Sequence, residues 1–560
     1  MMAGASRRPP RRWAPGSGVP PVHLVALLAY VGVLTAELPR LTEQLRANSD
    51  VAAVLLVGDG LTGGASLRPI EVGQPAYAWL VAALGRLGHE TVVLSVLPLL
   101  VTWLGLAGVV LAVRRLAGGW AGSLALALGV GAAPAVLLTE VAPAFHGMAW
   151  ATAGLLGWYA VSLASRGGDD GGPAPRRRTL AISAGAGVMA GVVAASDALV
   201  VVAGLVPFVL VAALLWVRTR RRAVLTHAGA LIIGALLSFT VVHLLMARAG
   251  YSSGLGGGTT RGVGIGAVAA NARVVGRGLL DMANGLPMEP GAGVSPLPLL
   301  LAIVLVGLAL AGVCVVTARS TWQLQARPTQ LARDAHVAYW VTSALVLLGA
   351  LIVSNVIMPG ADAPPADRLV SSQRYVTGVF FAVVALVPLW PRMRAGRVAA
   401  TAAVTVFIAA SAVRLVAAES NADFQPAASR SLPVLAGALR AHGLSRGYAS
   451  YWDADVLRLS SGGALDVLPA AEGSPCGAGP TSFCRDLLNS AGGWFTTPAG
   501  RSFVVVDPGD TFIPAPPPAA LGTPVQTFSV DRFTVFVYDG DVMTRFSASC
   551  AGRADHNCAG

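Results

Sequence analysis

Apolar positions along the chain fall into long unbroken stretches rather than alternating or sparsely periodic ones. A helix needs about 17–25 such residues to cross a bilayer. Stretches of that kind lie near 20–36, 92–113, 119–139, 147–165, 179–196, 198–217, 224–247, 296–318, 336–358, 376–391 and 398–417, which predicts about 11 transmembrane helices. The first is read as a retained span, because no small-x-small cleavage site precedes Glu37. Polar stretches at 37–91, 248–295 and beyond 418 are too long to be mere span connectors. The chain therefore divides into an Arg-rich N-terminus (1–19), a multi-span domain (20–418) and a C-terminal domain (419–560).

The pattern changes in the tail. Leu432 to Gly443 has the spacing of a helix, whereas Tyr448-Ala-Ser-Tyr451-Trp452, Phe503 to Asp507 and Phe533 to Tyr538 read as strands. Pro514-Ala-Pro-Pro-Pro518 reads as a turn or extended connector. The expected fold class is a polytopic α-helical membrane protein with a small C-terminal extracytoplasmic α/β domain.

Composition agrees. The 560 residues are 54% hydrophobic and 12% charged, with a mean hydropathy of +0.65; a soluble domain carries about 25% charged residues. The net charge of +12 raises the question of a nucleic-acid partner, and its distribution answers it. All 40 basic residues are Arg, and 20 of them sit in six short segments between apolar stretches: Arg7 to Arg12, Arg114/Arg115, Arg166 with Arg176–Arg178, Arg218 to Arg222, Arg319/Arg327/Arg333, and Arg392/Arg394/Arg397. Short Arg-dense loops stay cytoplasmic. The charge is thus topological; membrane lipids are expected partners and nucleic acid is not. The absence of Lys, with abundant Ala, Gly and Val, points to a high-GC genome and a bacterial plasma membrane.

Eleven spans from a cytoplasmic start leave the tail outside. Cysteine usage points the same way: Cys314 falls in an apolar stretch, but Cys476, Cys484, Cys550 and Cys558 are confined to the tail. That suggests two disulfides in an oxidising compartment, with 476–484 and 550–558 the simplest of three connectivities. A zinc site is the competing reading, although no C-x-x-C pair is present.

Candidate chemistry concentrates on the outer side. Asp50 follows the first span and precedes Val51, Val54, Leu55 and Leu61, a spacing suited to an interfacial helix. It is either that helix's N-cap or a general base. The loop, which also holds Asp59, continues through Glu71-Val-Gly-Gln74-Pro75-Ala-Tyr77 to a second apolar helix at Trp79. This order of acid, interfacial helix, Gly/Pro turn, second helix and span resembles the GT-C superfamily of membrane glycosyltransferases, which use polyprenyl-phosphate sugars. The resemblance implies an inverting transfer from a polyprenyl-phosphate sugar donor to a cell-envelope glycan, lipid or protein acceptor. It makes Asp50 the catalytic acid of the first external loop and Glu140, in Thr139-Glu140-Val-Ala-Pro-Ala-Phe-His146, the second. Asp50 has Ser49 and Val51 as neighbours instead of a paired acid, which leaves open the use of a divalent metal.

A lipid phosphate calls for external arginines. Arg374-Tyr375 stands before the tenth span, and Arg273 and Arg277 share one helix face; snorkelling to headgroups is the plainer use of all of them. Ser196-Asp197 reads as the cap of a tight external turn, and Gly254 to Gly266 as a lid. In the tail, Tyr451, Trp452 and Asp453 suit stacking and hydrogen bonding to an acceptor glycan, or simply a packed strand. Two other classes stay open. A lipid-carrier or polysaccharide transporter or flippase would need ionisable groups at mid-membrane depth, where His243 is the nearest instance. A non-catalytic envelope-assembly protein would display its tail from the same anchor.

Overall fold

The computed structural model describes residues 21–46, 51–56, 71–72, 80, 96–141, 146–165, 175–248, 252–253, 263–284, 328–354, 365–389, 394–417, 426–472, 483–485, 500–508, 513, 515–517 and 521–542. Asp50, Asp59, Cys314, the expected span at 296–318, the lid at 254–262 and Cys476, Cys550 and Cys558 lie outside them. Helix α1 (Pro21–Arg46) is followed by a helical stretch at 51–56 and a two-residue strand β1 (Glu71–Val72). Then come α2 (Leu97–Ala117), α3 (Gly119–Val130), α4 (Pro134–Val141), α5 (Gly147–Ser165), α6 (Pro175–Ala194), a π-turn at Val201–Leu205 running into α7 (Val206–Thr219), and α8 (Arg222–Arg248). Strand β2 (Ser252–Ser253) precedes α9 (Ile265–Met282), α10 (Pro328–Val353), α11 (Pro365–Leu386) and α12 (Arg394–Val416).

Among the described residues, six helices are long and apolar enough to cross a membrane: α1, α2, Val201–Thr219, α8, α10 and α12. A seventh span results if α3 and α4, bent by 79°, count as one. The chain is a multi-pass membrane protein, but the expected count of 11 is not confirmed. Helices α5, α6 and α11 do occupy three further predicted positions. Of these, α5 and α6 are long enough but less apolar, since α6 opens on Arg176–Arg178 and α5 is rich in Gly and Ala.

Small residues let these helices approach closely. A Cβ added at Gly108 of α2 would stand 2.7 Å from the Gly154 carbonyl of α5, and one at Gly234 of α8 would stand 2.6 Å from the Ala184 carbonyl of α6. In lipid, such backbone proximity supplies the packing that hydrophobic burial supplies in water.

The tail is an α/β domain, as the pattern predicted. Helix α13 (Pro426–Ala441) leads into β3 (Arg446–Ala449), α14 (Tyr451–Ser460), β4 (Asp466–Glu472), β5 (Phe483–Arg485), β6 (Arg501–Val506), β7 (Gln526–Val530) and β8 (Phe533–Asp539). The strand order is β5-β4-β3-β6-β8-β7, with β3 parallel to both β4 and β6 and the remaining pairs antiparallel. One expectation is corrected here. The predicted strand stops at Ala449; Tyr451 and Trp452 open a helix, because Ser450 with Asp453 three residues on is a helix-start signal that overrides aromatic strand preference.

The short segment after Asp50 joins the two parts. Val51, Val54 and Leu55 belong to the core of the helical bundle, while Ala52 belongs to the tail's core with Leu435, Leu457 and Val535.

Candidate functional site

The tail defines one end of the bundle. Helix α1 runs toward it, since the segment beyond its last turn is buried against both cores, and α12, packed along α1, ends nine residues before the tail's first helix begins. Polar side chains that an apolar bundle would otherwise exclude collect at this end.

The break between α3 and α4 brings Thr139 and Glu140 into the interior, each about 1% exposed. The Thr139 hydroxyl donates to the Val136 carbonyl at 2.7 Å and meets the Thr377 hydroxyl of α11 at 2.8 Å. The Glu140 carboxylate accepts a hydrogen bond from the Trp103 indole N–H of α2 at 3.3 Å. A buried acid with an indole donor is held in place rather than solvated.

Six residues on in sequence, His146 sits at the start of α5 with a φ of 70°, a conformation an L side chain adopts at a cost of about 1–3 kcal/mol. Its carbonyl accepts the Ala149 and Trp150 amides, so it caps the helix while its ring turns away from it. The ring Nδ1 donates to Asp197 Oδ2 at 2.8 Å, and the ring centroid lies 5.1 Å from that of Tyr375. Asp197 Oδ1 also accepts the Leu199 amide at 3.0 Å, as expected of a cap at the tight turn between α6 and the next helix. Asp197 is 6% exposed. His146, Asp197 and Tyr375 thus come together from three elements, and Glu140 is tied to the same stretch of α11 through the Thr139–Thr377 contact, although the four are scattered over more than 200 residues of sequence. Arg374 precedes Tyr375 in helix α11; its side chain is outside the description.

Helix α9 closes this end from the side. Its buried face carries Asn271, Val275, Gly278, Asp281 and Met282. Asn271 donates to the Ile352 and Ser354 carbonyls at the end of α10. Asp281 pairs with Arg414 at the end of α12 at 2.8 Å, and Asn284 donates to Ser411. Burial raises the Asp281 carboxyl above its ordinary value, and Arg414 pulls against that. Arg273 and Arg277 occupy the opposite, exposed face of α9, on one side as their spacing predicted. Strand β1 pairs in parallel with β2, Glu71 against Ser252, which ties the first long loop to the second.

The tail residues separate by burial. Tyr451 and Asp453 are 4% and 3% exposed, with Asp453 accepting from the Ser450 hydroxyl at 3.2 Å, whereas Trp452 is 37% exposed. Cys484 lies in β5. Among the described residues no three His, Cys, Asp or Glu side chains come together to hold a metal ion, His146 and Asp197 being engaged with one another. Sequence reasoning missed Trp103, Thr377, Asp281 and Arg414. Only Arg414 had a signal, an arginine near the C-terminal end of the last apolar stretch.

No family model and no curated protein sequence matches the chain. Among solved structures it is similar to an oligosaccharyltransferase of Archaeoglobus fulgidus crystallised with Zn and sulfate, at 12% identity and a TM-score of 0.43 over 79% of this chain and 61% of that one. The apo form of that enzyme gives 14% identity and a TM-score of 0.39 over 78% and 64%. The same organism's AglB, in complex with an inhibitory peptide and a dolichol-phosphate, gives 13% and 0.39 over 80% and 64%. The chain therefore spans less than two thirds of the length of the structures it matches, and at this degree of overlap the functional reading rests on the residues themselves.

Proposed function

We propose that the chain is a polytopic GT-C-type glycosyltransferase. It would move a sugar from a polyprenyl-phosphate donor to a cell-envelope glycan, lipid or protein acceptor on the outer face of a bacterial plasma membrane, with inversion at the anomeric carbon. The observation that carries this reading is the cluster of His146, Asp197 and Tyr375, with Glu140 joined to the same part of α11 through Thr139 and Thr377, at the end of the bundle where the segment after Asp50 is clasped between bundle and tail.

In this scheme Asp50 accepts the acceptor hydroxyl's proton as the new glycosidic bond forms. The donor's phosphate leaves toward Arg374 and the Tyr375 hydroxyl, with Arg273 and Arg277 on the exposed face of α9 as the next cations within the external segments. Glu140 is the second acid, positioned by Trp103. The exposed indole of Trp452, with Tyr451 and Asp453 behind it, serves the acceptor side. The tail's cysteines would be paired as 476–484 and 550–558.

The test is transfer by purified protein in liposomes offered a panel of polyprenyl-phosphate pentoses and hexoses together with envelope extract. Asp50→Asn should abolish transfer while leaving expression and thermal unfolding unchanged; transfer retained by that variant removes the assignment.

A further inference from the structure

Toward the end of the bundle away from the tail, α1, α3 and the first half of α12 border a groove of about 540 Å³. It is lined by Val22 of α1, Trp120 of α3, and Arg394, Arg397, Val398, Thr401, Ala402, Thr405 and Val406 of α12. That volume is within the roughly 300–1,000 Å³ of ligand clefts.

The floor is fixed. His23, 2% exposed, meets the Ser123 hydroxyl through Nδ1 at 3.1 Å and the Thr401 hydroxyl through Nε2 at 3.2 Å, so one imidazole ties the three helices together beneath the groove. The mouth is cationic. Arg397 lies over the Trp120 ring at 5.6 Å, which holds the guanidinium at the rim, and Arg394 stands one turn earlier on the same helix. The walls beyond them are aliphatic, and Val398 and Val406 are 62% and 42% exposed. Among the described residues, no acidic one lines the groove.

A slot with two arginines at its mouth and aliphatic walls running into the membrane matches a molecule with an anionic head and a hydrocarbon chain. The chain's own first 20 residues are a poor occupant, because they carry Arg7, Arg8, Arg11 and Arg12 and no acid, the same sign as the rim. We propose that this groove holds one anionic glycerophospholipid of the leaflet at that end, its phosphate at Arg394 and Arg397 and an acyl chain along Val398, Ala402 and Val406. The lipid would brace the start of α12, the helix whose far end carries Arg414. The site is separate from the one at the tail end and does not depend on what is transferred there.

The full chain, purified in detergent and doped with phosphatidylglycerol or phosphatidylcholine of identical acyl chains, is analysed by native mass spectrometry. One phosphatidylglycerol should survive delipidation at least tenfold better than phosphatidylcholine. Arg394→Glu with Arg397→Glu should reduce its retention to the phosphatidylcholine level. Val398→Trp, which fills the slot and leaves both arginines in place, should reduce it several-fold. Equal retention of the two lipids, or unchanged retention in either variant, overturns the proposal. So does protection from heat by inorganic phosphate equal to that by phosphatidylglycerol, which would mean an ion at the rim and no chain in the groove. Should the charge-reversed variant not fold, Arg394→Gln with Arg397→Gln replaces it and must show at least a threefold loss.

Discussion

The residue with most to explain is His146. It accepts an unfavourable backbone conformation, caps α5 with its carbonyl and gives its Nδ1 proton to Asp197, all within a site no local motif announces. A hydrogen bond to a charged group contributes about 1.5–3 kcal/mol. If the pair orients Tyr375 for the donor phosphate, Asp197→Asn should slow transfer by roughly 10–100-fold. His146→Ala should cost about the same, and the double variant little more than either single one. Initial rates across this cycle check the point; fully additive losses would mean that the two side chains act separately. The pairing was illegible in sequence for a physical reason. His146 and Asp197 are 51 residues apart, and each taken alone reads as an ordinary boundary or cap residue.

At the scale of elements, α9 is the piece whose placement depends most on polar contacts. It reaches the ends of α10 and α12 through Asn271, Asp281 and Asn284. Removing one partner of a buried ion pair leaves the other charge uncompensated, at about 3–5 kcal/mol, whereas replacing both with apolar groups is often neutral. Arg414→Met should therefore lower the thermal midpoint clearly, and Arg414→Met with Asp281→Leu should recover most of the loss. Detergent-solubilised protein followed by differential scanning fluorimetry makes that comparison, and a double variant as unstable as the single one would contradict it. Elements are also where sequence served best. Long apolar stretches located α1, α2, α7, α8, α10 and α12, because crossing lipid demands an uninterrupted apolar helix. Sequence misread Tyr451 and Trp452 because aromatic side chains suit strands, and it gave too little weight to Ser450 and Asp453. It placed Arg273 and Arg277 on one helix face but set no bounds for α9, since an amphipathic helix resembles a loop when the chain is scanned for spans.

For the whole molecule the decisive contact is the smallest. Ala52 is fully buried in the tail's core, while Val51 and Val54 on either side of it are buried in the bundle. A large side chain at that position cannot be accommodated without separating the two. Ala52→Trp should release the tail to limited proteolysis at a rate several-fold above that of the native chain and reduce transfer with it. Identical digestion kinetics would show that the tail is held elsewhere.

That one alanine also sets an order in time. Val535, in the same core, is made 483 residues after it. At about 5–20 residues per second, roughly 25–100 seconds pass before the segment beside Asp50 meets its second partner. Through that interval every span can insert while the junction of bundle and tail stays unfinished. A chain cut short before β8 would be embedded in the membrane with Ala52 still lacking part of its second core, so completion of that strand acts as the moment of maturation.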